Sequence, residues 1–184
     1  MFKERTGMKN LAFWGIGLAL LVNVTSGLAQ NVSWTQYFFV ARNIFPQANE
    51  ICILLPQEEQ EPQKKALGRA AAQFRFKVKL YLFTDARSIG SNLQIIPDGS
   101  ILIVYDSPLT QDKSSMMYIL SQAKDKNISV VTASEQYVDA GALVGLVKEA
   151  GHLRVVVNLK FSQQLAGKFT PEFNQKIGIV KVLQ

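Results

Sequence analysis

The polar side chains best placed to do chemistry follow two apolar runs. Asp106, Ser107 and Thr110 come directly after the run 101–105, and Ser134 and Glu135 come directly after 128–132. Carboxylates and hydroxyls placed this way hold a small ligand through charge and hydrogen bonds, or they cap the helices that follow, as Ser, Thr and Asp do at helix starts. Glu58, Glu59 and Glu61 form an acidic group after a third apolar run, 51–55. Beside a helix N-terminus they either complement the helix dipole or form a cation site. His152 is the single histidine and Cys52 the single cysteine, so an ordinary Cys/His metal centre lacks its ligands. No G-x-S-x-G elbow, Walker loop or H-E-x-x-H occurs, and no G-x-G-x-x-G follows the first apolar run. Cys52, inside Ile-Cys-Ile-Leu-Leu, reads as a small buried hydrophobe, and His152 as a solvated turn residue. No catalytic residue, metal or cofactor is expected.

The elements that must position these residues follow from hydrophobic period. Runs at 51–55, 78–83, 101–105 and 128–132 read as buried strands, and 63–74, 86–95 and 112–126 as helices between them. Pro97-Asp98-Gly99 is a turn, with proline presetting φ and glycine supplying φ > 0. Short apolar strands alternating with helices imply βαβ units and a parallel sheet covered on both faces. In such sheets ligands bind outside the carboxyl ends of the strands, which is where Asp106, Ser107, Thr110, Ser134 and Glu135 fall. Beyond residue 133 the pattern changes to a β-hairpin, 142–149 and 152–159, turning at Ala150-Gly151. A short helix at 160–167 ended by glycine and a helix start at Thr170-Pro171 follow. The fold class is therefore α/β: a single three-layer doubly wound domain, with a mainly parallel sheet and a C-terminal β-hairpin.

Ahead of the strands, Trp34, Tyr37, Phe38, Ala41, Ile44 and Phe45 lie on one face of a helix that Pro46 ends. This stripe packs on the sheet, or else Trp34, Tyr37, Phe38 and Phe45 form a partner or dimer surface. Ala142, Leu143 and Leu146 are a second place where a partner-binding apolar patch is expected.

The first 29 residues have the three parts of an export signal. Lys3, Arg5 and Lys9 outweigh Glu4, residues 11–22 are apolar or glycine, and Thr-Ser-Gly-Leu-Ala at 25–29 offers small residues for a cut after Ala29. Asn23 stops the apolar run short of the roughly 20 residues of a spanning helix. The expectation is a signal peptide at 1–29, a single domain at 30–184, and a periplasmic or otherwise exported location. Without residues 1–29 the chain keeps 17 Lys+Arg and 13 Asp+Glu, with the basic residues scattered along the chain. Nucleic-acid binders cluster their basic residues, so no nucleic-acid partner is expected. A lone cysteine in an exported chain leaves no internal disulfide.

The segments ILIVYDSPLT (101–110), ISVVTASE (128–135), VDAGALVGL (138–146) and VVVNLK (155–160) resemble the C-terminal lobe of ABC-transporter substrate-binding proteins of the tryptophan/tyrosine type. That family closes two lobes on a ligand, and this chain has the length of one. Where the family places small hydroxyl residues for a ligand carboxylate, this sequence has Gln-Glu-Glu-Gln-Glu at 57–61, which would repel one. The aromatic helix ending near a proline, the exported single-domain length and the final strand running into Asn158-Leu159 also resemble YfiR-like periplasmic proteins. The best-known member restrains a membrane cyclase and dimerises; its cysteine pairs are missing here. The resemblances imply one periplasmic-binding-protein-like lobe, a non-enzymatic binding module in periplasmic sensing or regulation. Its partner would be a membrane protein (cyclase, sensor or transporter permease) or a small-molecule ligand, with a homodimer a further option. The alternative they imply is an accessory solute-binding protein of an ABC transporter.

Overall fold

The computed structural model describes residues 32–149, 152–160 and 162–183. The expected signal segment and its cut after Ala29 lie outside these residues, as does the Ala150-Gly151 turn.

Helix α1, Trp34–Ile44, opens on a capping box. The Ser33 hydroxyl accepts from the Gln36 backbone N–H while the Gln36 side chain accepts from the Ser33 backbone N–H, which satisfies two of the helix's orphan donors. Strand β1, Glu50–Pro56, leads through a 3-10 turn at Gln57–Glu59 into α2, Gln60–Phe74. There follow β2, Lys77–Phe83; α3, Ala86–Ile95; and β3, Ile101–Val104. A single turn, α4, Pro108–Gln111, precedes α5, Lys113–Asp125, then β4, Ser129–Thr132. Helix α6, Glu135–Ala140, leads to β5, Val144–Glu149, and β6, His152–Asn158. A 3-10 segment, Gln163–Lys168, then α7, Pro171–Ile177, and β7, Ile179–Leu183, complete the fold.

Among the described residues the seven strands form one sheet in the order β2-β1-β3-β4-β5-β6-β7. Every neighbouring pair is parallel except β5 with β6. The doubly wound α/β expectation holds, and the antiparallel hairpin falls where it was expected. The order 2-1-3-4-5 places the topological switch between β1 and β3.

Alternation along β1 divides the core. Ile51, Ile53 and Leu55 face α1 and α2, with Val155 and Val157 of β6 in the same layer. Cys52 and Leu54 face α3, α5 and α6, beside Leu93, Ile119 and Tyr137. Three cations close helix C-termini on that framework. Arg42 donates to Phe74 O and Arg75 O at the end of α2, Lys126 to Leu93 O, Gln94 O and Ile96 O at the end of α3, and Lys168 to Ile44 O at the end of α1. A cation there meets the unpaired carbonyls and the negative end of the dipole.

Several elements depart from expectation. Strand β7 was not anticipated, and of helix α6 only a start near Ser134 and Glu135 was. The strand expected from residue 142 begins at Val144; the backbone N–H of Ala142 bonds Tyr137 O of α6 instead of a neighbouring strand. The helix expected at 160–167 is the 3-10 segment. The aromatic stripe turns inward: Trp34, Tyr37 and Phe38 are buried, Phe45 is half-buried, and so none of the first three offers a surface to a partner. Ala142, Leu143 and Leu146 are buried as well. The reason is energetic: sealing large apolar side chains contributes about 1.5–3 kcal/mol each.

Candidate functional site at the carboxyl edge of the sheet

Strands β1 and β3 deliver Gln57–Glu59 and Tyr105-Asp106 to the two sides of the switch point. The crevice between them is filled by side chains of the chain itself. Trp34, the first residue of α1, stacks on Tyr105 with ring centres 6.0 Å apart and planes 24° from parallel. Its indole Nε1 donates to Gln63 Oε1 at 2.9 Å, and Gln63 Nε2 donates to Glu59 Oε2 at 2.9 Å. Burial pushes the Tyr105 hydroxyl up to about 12, helped by the negative charge of Glu59 and a hydrogen bond to it. Burial likewise raises Tyr37 well above the tyrosine range, with Asp106 adding to the effect.

The hydroxyl residues on the β3 and β4 side form a connected network. Ser107 Oγ accepts from Thr110 N–H at 3.2 Å, and Thr110 Oγ1 accepts from Ser107 N–H at 3.0 Å. Thr110, fully buried, donates from its Oγ1 to Tyr105 O at 2.8 Å. Tyr137 OH donates to Thr110 O at 2.6 Å. Ser134 Oγ donates to Gln111 Oε1 at 3.1 Å, while Gln111 Nε2 is buried with no hydrogen-bond partner. Asp106, Ser107, Thr110 and Ser134 are therefore brought to one edge, as their positions in the sequence suggested. Ser107 and Thr110 serve as caps. Glu135 turns away toward β7, where its carboxylate is 3.9 Å from Lys181 Nζ.

Three residues that matter here escaped the sequence reading. Gln63 and Gln111 give no signal, since polar residues on helices are ordinarily solvated. Tyr105 carries one: a hydroxyl-bearing ring at the carboxyl end of a buried strand. The acidic group is dispersed, with Glu58 exposed, Glu59 bound by Gln63 and Glu61 paired with Lys64 at 3.1 Å. Among the described residues no group of three or more His, Cys, Asp or Glu side chains could hold a metal ion. His152 opens β6 and is exposed. Cys52 is sealed in the core, and burial raises its thiol above the usual cysteine value. Two hollows open at the amino edge of the sheet, about 260 Å³ below α5 and α6 and about 500 Å³ beside β1 and β3.

No protein-family model matches this chain, and no curated protein matches it. Solved structures share its fold. A conserved domain protein from Vibrio cholerae O1 biovar El Tor superposes with a TM-score of 0.68 at 16% identity, over 83% of this chain and 61% of that one. An ABC domain in complex with L-Trp from Streptococcus pneumoniae gives 0.65 at 13% identity, over 81% and 60%. The ligand-free, open form of a substrate-binding protein with adhesive properties from Clostridium difficile gives 0.64 at 19%, over 83% and 60%. The chain spans about three fifths of the length of each of these structures, and what it shares with them is the α/β doubly wound fold.

Proposed function

We propose that this chain is an exported, non-enzymatic binding module, a single lobe of substrate-binding type that senses for or regulates a membrane-protein partner, as YfiR-like proteins do. The observation that carries this reading is the filled switch point. A solute receptor needs an open crevice between β1 and β3, and here Trp34, Tyr105 and Gln63 occupy it. The neighbouring hydroxyls of Ser107 and Thr110 are spent on capping. A lobe built this way would recognise a partner with its surface, and the exposure of Asp106 and Glu58 at the carboxyl edge supports that reading.

A second reading has one observation in its favour. Gln111 Nε2 is a buried donor without an acceptor beside Ser134, and an unpaired buried amide costs about 1–3 kcal/mol until something satisfies it. A small hydrogen-bonding solute there would make the chain an accessory solute-binding protein of an ABC transporter. One structural neighbour is described with L-Trp bound.

Photocrosslinking in cells from position 106 separates the two, paired with a thermal-shift screen of small metabolites. The regulatory reading expects a crosslinked membrane protein and an unmoved midpoint. It fails if no membrane protein is captured and a metabolite raises the midpoint. N-terminal sequencing of the exported form is expected to start near Gln30; retention of the first 29 residues in the cytoplasm overturns the export assignment.

A further inference from the structure

Strand β4 gains its two neighbours at different points. Its pairing with β3 starts at Ser129, but its pairing with β5 starts only at Val131. The start of β4 therefore faces the turn between α6 and β5 across a gap, and the hollow of about 260 Å³ lies there. The floor is apolar, with Leu120, Ala123, Ile128, Val130 and Leu143 all buried. Met117 lines the hollow too and is 50% exposed, a pliable apolar side chain at the mouth. The polar lining is of one kind. Among the described residues it holds the hydroxyls of Ser121, Ser129 and Ser162, the Asn127 amide and the Lys124 ammonium, and no carboxylate. Elsewhere such hydroxyls are spent inside the chain: Ser33, Ser88 and Ser107 are engaged at helix starts, and Ser134 donates to Gln111. Among the described residues the side chains of Ser121, Asn127, Ser129 and Ser162 make no hydrogen bond. The helix carbonyls that end beside the hollow are already answered. Ala123 O and Lys124 O accept from the Ile128 and Asn127 N–H groups, and Tyr137 O and Val138 O from those of Ala142 and Gly141.

We propose that this hollow is a binding site for a small monocarboxylate with an apolar body. The body lies on the buried floor, in a space below the size that holds a drug-sized molecule. The carboxylate meets the hydroxyls and Lys124 at the rim. An ionised carboxylate is acceptor-only and takes several donors at once, and every polar side chain lining the hollow can donate. Lys124 also has a contact within the chain, and its three ammonium donors serve both. An amine of the same body is rejected, because the lining offers it a like charge and no carboxylate to pair with. The hollow is at the amino edge of the sheet, opposite Asp106 and Gln111. It goes beyond the partner read at the carboxyl edge and does not depend on it.

Titration of the isotope-labelled, purified chain with hexanoate, followed by amide NMR shifts, tests it. The expected result is saturable shifts at the amides of Ser129, Val130 and Gly141, with those of Asp106 and Gln111 unmoved. Affinity rises about fourfold per added CH₂ from butanoate to hexanoate, the gain from burying a methylene. Hexylamine moves none of these amides. Lys124→Gln weakens hexanoate about three- to tenfold, as loss of one charged partner at a rim does, and leaves hexanol binding unchanged. Ser121→Trp, at an exposed position of α5, fills the mouth and abolishes hexanoate binding, and circular dichroism shows both variants folded. Hexanoate also raises the thermal midpoint of the parent; a rise that Ser121→Trp removes belongs to this hollow and is not counted for the carboxyl edge. Shifts at Asp106 and Gln111 in place of Ser129, Val130 and Gly141 overturn the proposal. So does an absence of saturable shifts, equal binding of hexylamine, or a hexanoate affinity unchanged in either variant.

Discussion

The guanidinium carbon of Arg42 sits 3.8 Å from the centre of the Phe76 ring, and among the described residues its hydrogen-bond partners are all carbonyls. Its partners are carbonyls: Phe74 O at 3.1 and 2.7 Å and Arg75 O at 3.2 Å on α2, Pro46 O at 3.0 Å and Ala48 O at 2.7 Å after α1. One planar fork thus ties the segment after α1 to the C-terminal end of α2. Arg42→Ala is expected to lower stability by about 3 kcal/mol, since hydrogen bonds to a charged group contribute about 1.5–3 kcal/mol and several carbonyls are orphaned together. Arg42→Lys recovers only part of this, because a point-like ammonium cannot span both carbonyl sets. Urea midpoints with an unchanged slope check both values, and equal stability of Arg42→Lys and the parent refutes the clasp.

Alkaline pH is expected to unfold the chain through its buried tyrosines. Burial first, and then Asp106, raises Tyr137 above its free value of 10.0, so the folded state holds this proton longer than the unfolded state. The stabilisation is complete below about pH 10 and is lost as pH rises past it, by about 1.4 kcal/mol per pH unit for one tyrosine. Tyr105 acts in the same direction, its loss extending toward about pH 12. Urea midpoints measured from pH 8 to 11 should fall steeply above pH 10, and Tyr137→Phe should make that fall shallower. A flat profile in the parent removes the linkage.

Gly145 of β5 lies under α6, where an added Cβ would overlap Val138 Cγ2. Val138 is fully buried and its branched side chain is stiff in a helix, so it cannot swing aside. Gly145→Ala is expected to destabilise by about 1–3 kcal/mol, the usual cost of overpacking. Adding Val138→Ala makes room, so the double variant should lose less than the sum of the two single losses. Additive losses in that cycle would show that the two sites do not touch.

How much could be read beforehand depended on whether the signal was local. The run Ile51-Cys-Ile-Leu-Leu is wholly buried in β1, and its neighbours at 101–104 and 129–132 followed from the same short-apolar rule, so the parallel sheet and the carboxyl edge were accessible. The extent of helix α6 was missed because six residues hold too few turns for a period, and β7 because Ile-Val-Lys-Val-Leu is half-exposed at the rim. The filling of the crevice was beyond reach for a different reason. It joins Trp34, Gln63 and Tyr105 from three separate elements, and no local pattern encodes which helix face meets which strand end.

That filling yields the most direct test of how the site is closed. Trp34 is 5% exposed, its ring against Tyr105 and its Nε1–H on Gln63. Trp34→Ala should cost about 3–5 kcal/mol, the range for deleting a buried large aromatic, and leave an indole-shaped space walled by Tyr105 with an acceptor at Gln63. Free indole should then bind that space and raise the thermal midpoint of the variant in proportion to ln(1 + [indole]/Kd), while leaving the parent unmoved because its crevice is full. Trp34→Ala combined with Gln63→Leu should still be rescued, but more weakly, having lost the acceptor. If indole raises the parent as much as the variant, the crevice is open in the native protein, and the solute-binding reading gains at the expense of the regulatory one.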